Sequence, residues 1–173
     1  MELYFKRIQT PVGEITIYAN DRAVTGLFWR KNNKKRLNRR FQSASEKNND
    51  VLLMATEQLK SYFAGNLKKF TLPLEISGTG FQKAVWQAIR GIDYGELRTY
   101  ADVAKSIGNP KACRAVGGAI GNNPLSIIIP CHRVIGSDAT LTGFGGGLPT
   151  KQRLLETEGH RIKNLKIDQF CCR

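Results

Sequence analysis

Ser77-Gly78-Thr79-Gly80-Phe81-Gln82-Lys83-Ala84-Val85-Trp86 is the stretch at which the pattern of the chain changes. Its first four residues are small and polar, which marks a boundary between segments. Thr79 then offers an N-cap, and apolar residues follow at helical spacing. The spacing predicts a helix over residues 81–90 with Phe81, Val85, Ala88 and Ile89 facing inward. Two domains follow from this boundary, residues 1–77 and residues 78–173.

Upstream the chain reads as strands. Residues 3–8, 14–19 and 24–29 are short β-rich runs separated by Thr10-Pro11-Val12-Gly13 and Asn20-Asp21. An antiparallel meander is the simplest way to join them. A polar stretch, residues 30–49, carries Arg30, Lys31, Lys34, Lys35, Arg36, Arg39 and Arg40, and reads as a solvated face. Asp50 is placed to cap a helix over residues 50–63, with Gly65 just past its end. Residues 70–76 read as a further strand.

Downstream the pattern is helical. Thr99 caps a helix over residues 100–107, and Gly108-Asn109-Pro110 breaks it. Pro110 suits the first turn of a helix reaching residue 120. Two short helices about a glycine-containing turn fit a helix-turn-helix. The second of them is built from Ala112, Cys113, Ala115, Gly117, Gly118 and Ala119, with Arg114 as its long charged side chain. Each interior glycine costs a helix about 1 kcal/mol relative to alanine. Close approach of another backbone would justify that cost, whether from a neighbouring helix or from nucleic acid.

The chemistry-bearing residues follow an apolar run. Ile127-Ile128-Ile129 has the signature of a buried strand and leads into Pro130-Cys131-His132-Arg133-Val134. Ionisable groups at the end of such a run are costly to bury. A cysteine beside a histidine is a candidate nucleophile with its base, because thiolate is the reactive form. In an extended segment adjacent side chains point to opposite sides, so a bridging water is the natural link between the two.

Composition narrows the partners. Among 173 residues, 27 are Lys or Arg against 14 Asp or Glu, a formal net charge of +13. Such an excess concentrates polyanions at the surface, with nucleic acid the leading partner and an anionic membrane surface second. No run approaches the roughly 18 apolar residues that span a bilayer, and the first residues lack a secretion signal, so a cytoplasmic location is expected. Cys113, Cys131, Cys171 and Cys172 show neither a disulfide framework nor zinc-type spacing. With His132 and His160 the only histidines, no metal is expected, and the thiols should stay reduced.

Residues 130–134, preceded by Gly121-Asn122-Asn123-Pro124 and the isoleucine run, resemble the active-site signature of the O6-alkylguanine-DNA alkyltransferases. The resemblance extends over about residues 78–161. It takes in residues 78–86, Tyr94-Gly95-Glu96, Thr99-Tyr100, residues 108–119, residues 143–148 and Glu158-Gly159-His160. It implies an α+β protein: an N-terminal RNase H-like α/β domain with antiparallel strands, and a mainly helical, winged-helix-like C-terminal domain with a helix-turn-helix. The partner it implies is double-stranded DNA carrying O6-alkylguanine, bound in the minor groove by a monomer without a cofactor.

The resemblance also assigns roles. Cys131 accepts the alkyl group irreversibly, once per molecule. His132 is the base acting through water, oriented and charged by Glu158, since a carboxylate partner favours imidazolium and imidazolium favours thiolate. Asn123 bonds the backbone turn at the site, and Tyr100 gives a proton to the departing base. Arg114 fills the gap left by the flipped nucleotide, while Ala112, Ala115, Gly117 and Gly118 let their helix sit close to the DNA. Val134, Phe144 and Gly145 line the pocket of the extruded base. Phe144 and Gly145 stand where some relatives have tyrosine and serine, which bears on tolerance of bulky alkyl groups. Cys171 and Cys172 lie outside the matched region, in a tail read as inert.

Two other readings use the same residues. A cysteine hydrolase would employ Cys131 and His132 with Asn123 or Glu158, yet it leaves the charge and the glycine-rich helix unexplained. A non-catalytic helix-turn-helix DNA binder explains both of those and leaves Cys131 without a purpose.

Overall fold

The computed structural model describes residues 2–29 and 39–168. Most of the basic cluster at residues 30–40, and both Cys171 and Cys172, therefore lie outside the described residues. The chain divides into two compact units, Met1–Ile76 and Ser77–Arg173.

In the first unit, β1 (Tyr4–Thr10), β2 (Gly13–Ala19) and β3 (Val24–Trp29) form the antiparallel meander that the sequence predicts. The first turn is closed by Thr10, whose hydroxyl donates to the Gly13 carbonyl at 2.6 Å. After a short helix α1 (Arg39–Gln42), a two-residue strand β4 (Ser45–Glu46) adds in parallel beside β1, giving the order β3-β2-β1-β4. Successive side chains of a strand face opposite ways, and β2 is buried on both faces: Ile15 and Ile17 on one, Thr16 and Tyr18 on the other. Tyr18 meets Phe28 and Phe41 edge-on, with Leu3 completing the cluster.

Helix α2 (Asp50–Phe63) packs against β1 and β2, burying Leu52, Ala55, Leu59 and Tyr62. Its cap is Asn49 rather than Asp50. The Asn49 side chain accepts from the Leu52 amide at 2.9 Å, and Asp50 sits in the first turn, where its charge opposes the positive end of the helix dipole. The predicted strand over residues 70–76 is reduced to one bridge between Val24 and Leu74. Pro73 has no N–H to give a ladder, and only its carbonyl is used, by the Val24 amide.

The second unit opens with α3 (Gly80–Arg90), capped by Thr79 in a full capping box with Gln82. Val85, Trp86 and Ile89 are buried, whereas Phe81 is exposed and Ala88 half-buried, so the apolar face is rotated from the predicted one. Trp86 sets that rotation: its indole N–H donates to the Ala119 carbonyl at 2.9 Å, 33 residues away. Strand β5 (Arg98–Thr99) leads directly into α4 (Tyr100–Ser106), capped by Thr99 with Asp102. Helix α5 (Cys113–Gly121) starts later than predicted, because residues 109–112 close a turn of their own through the Ala112 amide and the Asn109 carbonyl. Pro110 thus precedes the helix instead of opening it. Helices α3, α4 and α5 pack together as a helix-turn-helix core. A 3-10 turn (Cys131–Arg133), strand β6 (Val134–Ile135), helix α6 (Leu148–Thr157) and a hairpin of β7 (Ile162–Lys163) and β8 (Lys166–Ile167) complete the unit. No described helix is long and apolar enough to cross a membrane.

Candidate active site and the glycine-rich helix

The isoleucine run is buried as predicted but is not a strand. Residues 126–129 fold into a tight turn with Ile127 at φ 75°, a left-handed conformation that β-branched residues rarely adopt. Asn123 holds this turn at both ends. Its Nδ2 donates to the Ile129 carbonyl at 2.8 Å, and its Oδ1 accepts from the Leu125 amide at 3.0 Å. Strain of this kind persists only where surrounding bonds over-determine it. The polypeptide then enters the 3-10 turn, so Cys131 and His132 are not in the extended backbone assumed from sequence. Cys131 is 3% exposed, and its Sγ lies 3.8 Å from Ser126 Oγ.

Behind the thiol lies a closed polar cluster. His132 Nε2 is 2.8 Å from Glu158 Oε1. Arg133 grips the same carboxylate with two prongs, Nε to Oε2 at 2.8 Å and one Nη to Oε1 at 2.9 Å, and its other Nη donates to the Ile92 carbonyl. The Gly95 amide adds a longer bond to Glu158 at 3.3 Å. Burial alone would push Glu158 up, yet the His132 bond and the Arg133 guanidinium outweigh it and hold the carboxyl well below the usual carboxylate range. Burial lowers His132 below its ordinary value, and the charges of Arg133 and Lys151 push the same way against the pull of Glu158. This lowering, of which burial is the largest cause, favours the neutral ring over the imidazolium expected from sequence. Donation from Nε2 to Glu158 makes Nδ1 the acceptor nitrogen of that tautomer.

Helix α6 supplies a residue that the sequence reading passed over. Lys151 is fully buried and its Nζ donates to the carbonyls of Val134 and Thr142. Burial depresses it from 10.5 to about 8, while the charge on Cys131 opposes the fall. A buried cation that responds to the Cys131 charge favours thiolate. Arg133 was likewise quoted only as part of a motif; its partner lies 25 residues on, beyond any local signal.

Tyr100 is placed by the backbone. Strands β5 and β6 pair in parallel, Thr99 with Ile135, which fastens the start of α4 to the segment leaving the thiol. The Tyr100 hydroxyl accepts from Thr142 at 3.1 Å; burial, with the Cys131 charge, raises it above its ordinary value, so it stays a neutral phenol. Val134 is buried, whereas Phe144 and Gly145 are half-buried in the loop before α6. Cys131, His132, Glu158, Asn123 and Tyr100 thus belong to one neighbourhood of the second unit. Among the described residues no three His, Cys, Asp or Glu side chains are grouped to hold a metal ion.

The glycine-rich helix lies on the surface. Val116, Ala119 and Ile120 of α5 are buried; Arg114, Ala115 and Gly118 are exposed, and Ala112 and Gly117 half-buried. A Cβ at Gly117 would make ordinary contact with Tyr100 at 3.8 Å, and one at Gly118 would meet nothing within 4 Å. Packing among the described residues therefore does not demand these glycines.

A helix-turn-helix unit with a buried thiol backed by a histidine–carboxylate pair defines a class of DNA-directed, cysteine-dependent proteins. Residues 3–76 match the family described as 6-O-methylguanine DNA methyltransferase, ribonuclease-like domain, and residues 80–160 match 6-O-methylguanine DNA methyltransferase, DNA binding domain. The chain belongs to the 6-O-methylguanine DNA methyltransferase family. It is 46% identical to a methylated-DNA–protein-cysteine methyltransferase of Haemophilus influenzae, over 90% of this chain and 86% of the relative. It is 43% identical to one from Methanosarcina acetivorans, over 91% and 99%. Mycobacterium tuberculosis OGT, solved in complex with DNA, superposes with a TM-score of 0.81 at 41% identity, covering 90% of this chain and 92% of that one.

Proposed function

We propose that this protein repairs DNA by direct reversal, moving the alkyl group of O6-alkylguanine onto its own Cys131. One observation carries the reading: the buried Cys131 thiol shares a turn with His132, whose Nε2 is held 2.8 Å from Glu158. Such a ring can take the thiol proton through water at Nδ1, and the resulting imidazolium is then paired with Glu158. The thiolate attacks the alkyl carbon in line. The S–C bond forms as the C–O6 bond breaks, and the electron pair goes to the guanine oxygen. Tyr100, kept as a phenol, donates toward the departing base, which gains one proton as the thiol loses one. No cofactor is consumed. The thioether product has no carbonyl for water to attack, so each molecule acts once.

A thiol this buried cannot reach a base stacked in a duplex, so the nucleotide must rotate out. Arg114, exposed at the start of α5, is suited to fill the space left behind, and the small outer face of that helix suits the narrow minor groove. Main-chain groups at Val134 and Gly145 would read the extruded guanine beside Phe144. The protein is proposed to act as a monomer on double-stranded DNA.

The test uses duplex DNA carrying labelled O6-methylguanine. Wild-type protein should acquire one equivalent of label and stop, and Cys131→Ser should acquire none while keeping its DNA affinity. Several turnovers per molecule, or label transfer by Cys131→Ser, would overturn the proposal.

A further inference from the structure

Residues 125–129 are apolar at every position but one. Leu125, Ile127, Ile128 and Ile129 are all buried, and Ser126, 1% exposed, lies among them. A hydroxyl in such surroundings is costly without a partner, roughly 1–3 kcal/mol. The partner it has is the Cys131 sulfur, at 3.8 Å. The strained turn brings the two together: with Ile127 in the left-handed region and Asn123 fastening both ends, the chain doubles back and Ser126 bridges to Ile129, two residues before the cysteine.

We propose that Ser126 is a further catalytic residue, one that holds the sulfur and stabilises its ionised form. The inference rests on the alkyl-transfer reading above. A hydroxyl can accept from one neighbour and donate to another, so the same pair serves both states. While the cysteine is a thiol, S–H donates to Oγ. Once the proton has left toward His132, the hydroxyl turns and donates to the sulfur anion. No bond is made or broken at Ser126, and no further reactant is needed. Hydrogen bonds to a charged group are the stronger kind, so the contact favours thiolate over thiol. It also fixes the sulfur against one wall of the turn, which limits the directions from which an alkyl carbon can meet it.

The decisive experiment is the pH dependence of single-turnover methyl transfer by wild type, Ser126→Ala and Ser126→Thr, with thermal unfolding and DNA affinity measured alongside. Ser126→Ala should be about tenfold slower at neutral pH, the effect of losing one charge-assisted hydrogen bond. Its rate profile should move to higher pH and converge on the wild-type rate where the thiol is fully ionised. Ser126→Thr, which keeps a hydroxyl, should follow the wild-type profile. An unshifted profile for Ser126→Ala, whether at full rate or uniformly reduced at every pH, would overturn the inference while leaving the alkyl-transfer reading intact. Failure of the wild type to transfer at all would instead remove that reading and this one with it.

Discussion

Lys151 offers a test of how the site is charged. Its side chain is buried, with Nζ bonded to the Val134 and Thr142 carbonyls, and its folded value lies near 8 against 10.5 for the free side chain. Between those two pH values the unfolded chain binds more protons than the folded one, so stability rises with pH across that window and is lost again as pH falls from 10.5 to 8. At about 1.4 kcal/mol per pH unit, the gap amounts to about 3 kcal/mol. Substitution Lys151→Met also removes the bonds to the Val134 and Thr142 carbonyls, but that loss is nearly independent of pH and cancels from the trend. The assay is urea unfolding from pH 7 to 10.5 of proteins with and without Lys151→Met, both carrying Cys131→Ser so that the thiol does not titrate. The chain with lysine should gain about 3 kcal/mol on its methionine counterpart as pH rises. A flat difference would show that Lys151 is not held as a buried cation, and the argument that it favours thiolate would fail.

The remaining expectations concern the cluster and the outer helix. Glu158 is depressed in the fold, so its contribution to stability is complete above about pH 5 and lost as pH falls through the acid range; denaturation of wild type against Glu158→Gln between pH 7 and pH 3 should show their difference shrinking. Arg133→Met strips the buried carboxylate of its guanidinium and should cost about 3–5 kcal/mol in chemical denaturation. Gly118→Ala, at an exposed helical position with open space, should stabilise the fold by about 0.5–1 kcal/mol in thermal unfolding while weakening duplex binding; unchanged DNA affinity would remove the close-approach argument. Arg114→Ala should slow repair of duplex lesions more than reaction with free alkylated guanine, and equal losses would exclude a role in filling the opened stack.

Local chemistry was legible where the determinants are local. Thr79 and Thr99 cap the helices assigned to them, each with its partner three residues on, and the three strands of the meander were readable from alternation and turns. The misread segments share a cause. An apolar run such as residues 127–129 looks the same whether it is a buried strand or a buried turn, and Asn123, outside the run, decides between them. The face of α3 turns on a bond from Trp86 to Ala119, and the lowering of His132 chiefly on its burial, which exists only in the folded chain. Lys151 and Ser126 were invisible for the same reason: nothing in their flanking residues announces a carbonyl pair or a sulfur as neighbour. The likeness of residues 78–161 to a known family pointed to the candidate site; long-range contacts determine how it is charged.

The account depends on the sulfur at position 131 becoming permanently capped, and the peptide that carries it reports this directly. After incubation with a duplex containing O6-methylguanine, a digest analysed by mass spectrometry should show Cys131 carrying one added methyl and the other cysteines unchanged. A Cys131 peptide of unaltered mass, with the lesion still in the DNA or repaired by another route, would contradict it.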